Sequence, residues 1–318
     1  GIAVGGTSVD PGGHLVACAP VTPLARILAA FGGTLAATAA LAQPCPPENA
    51  PRETLRALAR ADWRLADDAA REPLALALLP CLASPDPELR DELALSALTT
   101  WMRAGVLPVT VPRRCGVRAL QTLAAPDGRG FDAPFATLLL AEVARADRLQ
   151  PLWTDAERDQ VLTAAEAFVA SNRDYRGFDP GAGWRHAVAH GADLLMQLAL
   201  NPALDRAQLD RILEAVASQA TPSSHFYVFG EGERLARPVI FVARRALHSR
   251  EEWTAWLGRI ALAGVPERGA PAPLPALARP PNAKALLLQL YAALQEGGDA
   301  EMRARLLPGL TAALRTLP

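Results

Sequence analysis

In the stretch YRGFDPGAGWRHAVAHGADLL, His186 and His190 stand four residues apart and Asp193 follows three later. Neutral imidazoles one helical turn apart can reach a single cation, or one can act as a general base while a nearby carboxylate orients it. On a helical wheel begun at Trp184, the residues Trp184, Ala187, Val188, Gly191, Leu194, Leu195 and Leu198 share one side. His186, His190, Asp193 and Gln197 share the other. The spacing predicts a polar stripe facing a shared pocket, with Trp184, Val188 and Leu195 packed inward. Three roles stay open for the imidazoles: hydrogen-bonded structural groups, a metal pair, or a catalytic or ligand-binding pair. The zincin motif is excluded, because Ala187 stands where that motif has Glu.

The neighbouring residues favour a site. NRDYRGFDPGAGW places Asp174, Tyr175, Arg176 and Asp179 on a glycine-rich turn just ahead of the histidines, with Trp184 and Arg185 at its end. Backbone N–H groups of such a turn, and a helix start behind it, favour an anion or carboxylate. The structural alternative is a corner in which Arg176 pairs with Asp174 or Asp179. In ELRDELALSALTTW, Asp91 falls on the stripe of Leu95, Leu98 and Met102, where a carboxylate must be paired or have a raised pKa. In FGEGERLARPV, Glu231 and Glu233 flank a glycine before a helix, as catalytic acids or as helix-end charges. A divalent metal at His186 and His190 would need a further ligand at about 2.0–2.2 Å, and Asp91 and Glu231 are the candidates.

These residues must be positioned by helices. From Arg52 onward, apolar residues recur at three- and four-residue spacing and Pro and Gly mark the gaps, while alternating strand patterns are scarce. HFYVF (His225–Phe229) reads as a loop. Asp86 before Pro87 marks a helix start, and Thr154 with Glu157 forms a capping box. The Pro-rich Val265–Pro281 reads as a long loop inside one domain. The expected fold is all-α, an armadillo- or HEAT-like right-handed superhelix of helix pairs, with Tyr175–Gln197 lining its concave face. A compact helical bundle or an α/α toroid is the alternative.

Composition narrows the function. Half of the 318 residues are hydrophobic and the net charge is −1, so nucleic acid is not the expected partner. There is no G-x-S-x-G elbow, P-loop or dinucleotide fingerprint. The sequence opens on Gly1 with no initiator Met, and Arg26 precedes an apolar run that ends in Ala40-Leu41-Ala42. Residues 1–42 therefore read as an upstream segment plus a cleaved signal peptide, leaving 43–318 as a single helical domain in the periplasm or secreted, with no integral membrane span. Of Cys45, Cys81 and Cys115, one disulfide can form, but Cys81 and Cys115 as buried apolar residues are favoured.

LRDELALSALTTW, DYRGFDPGAGWRHAVAHGADLLMQLALNP and GEGERLARPV together resemble the bacterial family called domain of unknown function 2785. The resemblance spans roughly Arg52 to Leu262 and implies an all-helical, armadillo-like fold with no established activity. Gly232 stands where the family pattern has a further acidic residue, which weakens an acidic cluster there as an essential feature. The favoured reading is a scaffold binding a small ligand or a protein, with Tyr175, Arg176, Trp184, Arg185, Glu231 and Glu233 as contacts. The alternative is a hydrolase in which His186 or His190 is base or metal ligand, aided by Asp193 and Asp91.

Overall fold

The computed structural model describes residues 44–265 and 274–318. The expected signal segment lies outside them. Of the described residues 71% are helical, so the three-four spacing gave the class correctly. The long helices are α4 (Thr110–Ala124), α5 (Asp132–Leu149), α6 (Asp155–Ser171), α7 (Ala187–Ala199), α8 (Arg206–Ala220), α9 (Glu231–Arg244), α10 (Arg250–Gly264), α11 (Arg279–Glu296) and α12 (Ala300–Thr316). Before them come the short helices α1 (Arg52–Arg60), α2 (Arg71–Leu78) and α3 (Ser96–Ala104). A π-helical segment, Glu88–Leu95, runs directly into α3.

The start signals act as the side-chain chemistry requires. Asp86 Oδ1 accepts from the N–H groups of Glu88 and Leu89, and Thr154 and Glu157 close a reciprocal capping box. Arg279, Pro280 and Pro281 lie in the first turn of α11 and not in the preceding loop, since proline at a helix start sacrifices no internal hydrogen bond.

The helices form two rows. In the central row α5 packs on α7, α7 on α9 and α9 on α11. The flanking row holds α4, α6, α8 and α10, each packed on a central helix, and α12 closes the end against α10 and α11. Central helices run the same way. At one end, His190 in the first turn of α7 bonds Pro134 of α5, and Tyr227 ahead of α9 bonds Asn282 of α11. At the other end, Asn201 after α7 bonds Asp147 of α5, and Arg245 after α9 bonds Asn201. Helices alternating between two rows are what a superhelix of pairs demands. Among the described residues no helix is long and apolar enough to cross a membrane.

The core explains the geometry of α7. Every residue from Ala187 to Leu195 is buried, with Leu194 and Leu195 sealed completely. Each such leucine contributes about 1.5–3 kcal/mol. Neighbours enclose the polar stripe of α7 as far as Asp193, and only Met196 and Gln197 beyond it are partly exposed before Leu198.

Cys45 and Cys81 form a disulfide with Cα atoms 5.2 Å apart, and Cys115 is buried and free. This corrects the expectation that Cys81 is an unpaired apolar residue: the pair ties the segment before α1 to the helical turn after α2.

Candidate functional site

The parallel central row brings several helix N-termini to one end, together with the loops 126–131, 172–186 and 221–230. The glycine-rich turn forms a hairpin there, β1 (Phe178–Asp179) with β2 (Gly183–Trp184), pairing Phe178 with Trp184. Asp179 Oδ1 closes it by accepting from Gly181 and Ala182 N–H at 2.9 and 2.8 Å. The ladder continues beyond the strands, with Arg185 N–H donating to Gly177 O and His186 N–H to Arg176 O. Residues through His186 therefore cannot belong to α7, which begins at Ala187.

That boundary corrects the wheel. Trp184 lies on the hairpin and is 38% exposed, not packed inward. His186 is the hinge between hairpin and helix, with φ 53° and ψ 38°. Left-handed backbone is uncommon for a residue with a side chain and marks a place where neighbours hold the chain. Two glycines permit the close packing. A Cβ at Gly177 would fall 2.0 Å from the Phe229 ring, and Gly183, with φ +71°, lies where a Cβ would meet Pro87 and Arg90.

The two imidazoles are neighbours, their ring centres 5.9 Å apart, but each is anchored elsewhere. His186 Nε2 lies 3.1 Å from Phe229 O, and His190 Nδ1 lies 3.2 Å from Pro134 O. A carbonyl oxygen only accepts, so Nε2 carries the proton in His186 and Nδ1 carries it in His190. Burial lowers the pKa of both. The shift is opposed at His186 by Glu231, and it is deepened at His190 by the neighbouring His186 and Arg234, to about 3. Both rings are neutral at pH 7. Phe135 meets His190 edge-on and Trp184 stacks on His186 at 4.7 Å.

The carboxylates turn away from the rings. Asp193 is held by both nitrogens of the Arg234 fork, Nε at 2.9 Å from Oδ1 and Nη2 on Oδ2. Glu231, buried in the first turn of α9, accepts from Phe229 N–H at 2.9 Å. Glu233 pairs with Arg237 at the surface, one turn on. Asp91 is gripped by Arg90 at 2.9 and 3.1 Å, and burial still pushes its carboxyl above the usual range. It is thus both paired and raised.

Arg90 organises this end. Fully buried, it donates to Ser84 O, Ala182 O and Trp184 O, and its guanidinium covers the rings of Phe131 and Phe135 at 4.5 and 4.6 Å. Arg185 also lies over the Phe131 ring, at 4.3 Å. Arg176 bonds Asp174, which is the structural corner, and Tyr175 stacks flat on His225 at 5.5 Å.

Asp91, His186, His190, Asp193 and Glu231 do gather at one end, but Arg90, Phe135, Phe229 and Arg234 stand between them. The third donor that a metal at His186 and His190 requires is not supplied by Asp91, Asp193 or Glu231. Among the described residues no group of three or more His, Cys, Asp or Glu side chains could hold a metal ion. Four large aromatic or apolar side chains, Phe178, Trp184, Phe226 and Val228, face solvent on these loops, beside the exposed charges of Arg173, Arg176 and Asp179. Sequence reasoning missed Arg90 and Arg234, the residues that set the carboxylates. The one signal for Arg90 was a charge beside Asp91 at an otherwise apolar position.

No curated protein and no solved structure matches this chain significantly. Residues 126–292, more than half of the chain, match the model for a protein of unknown function, DUF2785, and they include the hairpin, α7 and α9. The chain belongs to the DUF2785 family.

Proposed function

We propose that this protein is an exported, armadillo-like helical scaffold that binds a protein partner through the aromatic edge at the helix N-termini. The carrying observation is the pairing of two features. His186 Nε2, Glu231 and Arg90 are bonded to main chain and Asp193 to Arg234, and Phe178 (49% exposed), Phe226 (45%) and Val228 (68%) project from the loops they fix. Preset aromatic and apolar side chains on rigid loops are the usual anchors of a binding surface. A disulfide between Cys45 and Cys81 supports an oxidising compartment, in line with the Arg26, apolar run and Ala-Leu-Ala order. The test is photo-crosslinking in cells, with a reactive residue placed at Val228, at Phe226 or, as control, at exposed Leu262 of α10. Specific products of one mass from the first two positions and not the third are expected. Equal patterns at all three, or none, would overturn the assignment.

One observation favours the hydrolase reading. With Nε2 donating to Phe229 O, Nδ1 of His186 is an unprotonated lone pair with no hydrogen-bond partner among the described residues. Such a nitrogen can act as a general base. Ester or amide turnover abolished by His186→Gln, with the fold retained, would establish that role in place of the scaffold.

A further inference from the structure

Away from this network, a groove of about 1090 Å³ runs between α4, α2 with the turn after it, and the first half of α5. Its floor is apolar, built from Leu76, Leu79, Leu82, Ala119, Ala136 and Leu139. The disulfide at Cys81 fixes the wall that carries Leu79 and Leu82.

The charges on this groove are unbalanced. Arg114 and Arg118 line it one turn apart on α4, exposed, and neither makes an ion pair or a side-chain hydrogen bond among the described residues. Like charges at that spacing repel. Arg259, exposed on α10, sits on Glu214, whereas Arg114 and Arg118 have no such carboxylate among the described residues. The acids in the groove do not fill the gap. Asp127 is taken by Arg129 at 2.6 Å. Asp132 is buried, with one oxygen on Asp127 N–H and the other unpartnered, and burial pushes its carboxyl up. An uncompensated double cation therefore stands over a hydrocarbon floor.

The shape favours a chain over a compact ring. The lining follows α4 from Arg114 to Thr122, about 12 Å at the rise of an α-helix, and continues to Ala125 just past its end. Alanines at 119, 125 and 136 keep the slot open along that length. We propose that the groove binds an acyl carboxylate, its anionic head bridged by Arg114 and Arg118 and its hydrocarbon laid along Leu76, Leu79 and Leu139. Arginine forks match a carboxylate geometrically, and apolar walls with a few polar anchors are the usual make-up of small-molecule sites.

Calorimetric titration of the full chain with decanoate, kept below micelle-forming concentration, tests this. Acetate and neutral decyl maltoside serve as controls. A saturable one-to-one decanoate isotherm is expected, with acetate silent and decyl maltoside at least about tenfold weaker. Arg114→Gln with Arg118→Gln should weaken decanoate about tenfold, as the two charge-assisted contacts are lost. Ala125→Trp, at an exposed position, should weaken it by plugging the slot. Circular dichroism checks that both variants keep the fold. No saturable isotherm with the folded wild type, or unchanged affinity in the arginine variant, would overturn the proposal. Acetate binding as well as decanoate would also overturn it.

Discussion

Replacing Arg90 by Met removes the side chain that joins the π-helical segment, the hairpin and α5. Methionine has a similar length and can fill the space between Phe131 and Phe135. Packing is thus largely kept while the charge and all donors go. Three main-chain carbonyls lose their donor, and Asp91, with a side chain only 26% exposed, loses its cation. Breaking a buried pair from one side costs about 3–5 kcal/mol, chiefly because the remaining charge stays buried and uncompensated. Arg90→Lys keeps a charge but not the fork, and should cost about 1–3 kcal/mol for lost charged hydrogen bonds. Domains of this kind hold roughly 5–15 kcal/mol in all, so Arg90→Met should remain folded only marginally. Urea unfolding gives the total, and hydrogen exchange over residues 177–186 gives the local part. Removing Asp91 as well, as Arg90→Met with Asp91→Leu, should recover part of the loss because no buried carboxylate is left. Arg90→Met within about 1 kcal/mol of wild type, with unchanged exchange in the hairpin, would refute the reasoning.

Acid should destabilise the protein through His190. The unfolded value is about 6.5 and the folded value about 3, so the neutral form is favoured on folding. Stability from this group is complete above pH 6.5 and declines as pH falls toward 3. By pH 5 the loss is about 2 kcal/mol, and His190→Gln should flatten that slope in pH-dependent unfolding. The disulfide closes a loop across 36 residues, so Cys81→Ala should lower stability by about 2–4 kcal/mol in denaturant unfolding. Cys115 is buried with its thiol pushed up to about 12, and it should resist thiol reagents until the protein unfolds.

Particular residues show what could be read from the sequence and what could not. The helix starts at Thr154 and Pro87 and the loop at His225–Phe229 were legible because caps, proline and spacing act locally. The wheel failed at Trp184 and His186 because a two-residue strand and a left-handed hinge precede α7. Neither leaves a periodic trace. Its polar side does face inward, since α7 is enclosed by α5, α6, α8 and α9, but His190 there is bonded to Pro134 and Asp193 to Arg234. The sequence offered Asp91 and Glu231 only as candidates to meet His186, His190 and Asp193, and it carried no trace of how each would be bonded. Partners such as Arg234 for Asp193, 41 residues away, and Cys45 for Cys81 are fixed only by how helices stack.

The claim that the histidines are neutral posts for the aromatic edge, and not a metal or proton-transfer pair, is tested most directly by nitrogen-15 spectra of both imidazoles between pH 5 and 8. His186 should show its proton on Nε2 and His190 on Nδ1, with His190 neutral throughout because its pKa is about 3. Added zinc should leave both sets of signals unmoved. Titration of His190 near its ordinary value of about 6.5, or zinc-induced shifts at His186 Nδ1 and His190 Nε2 together, would contradict it.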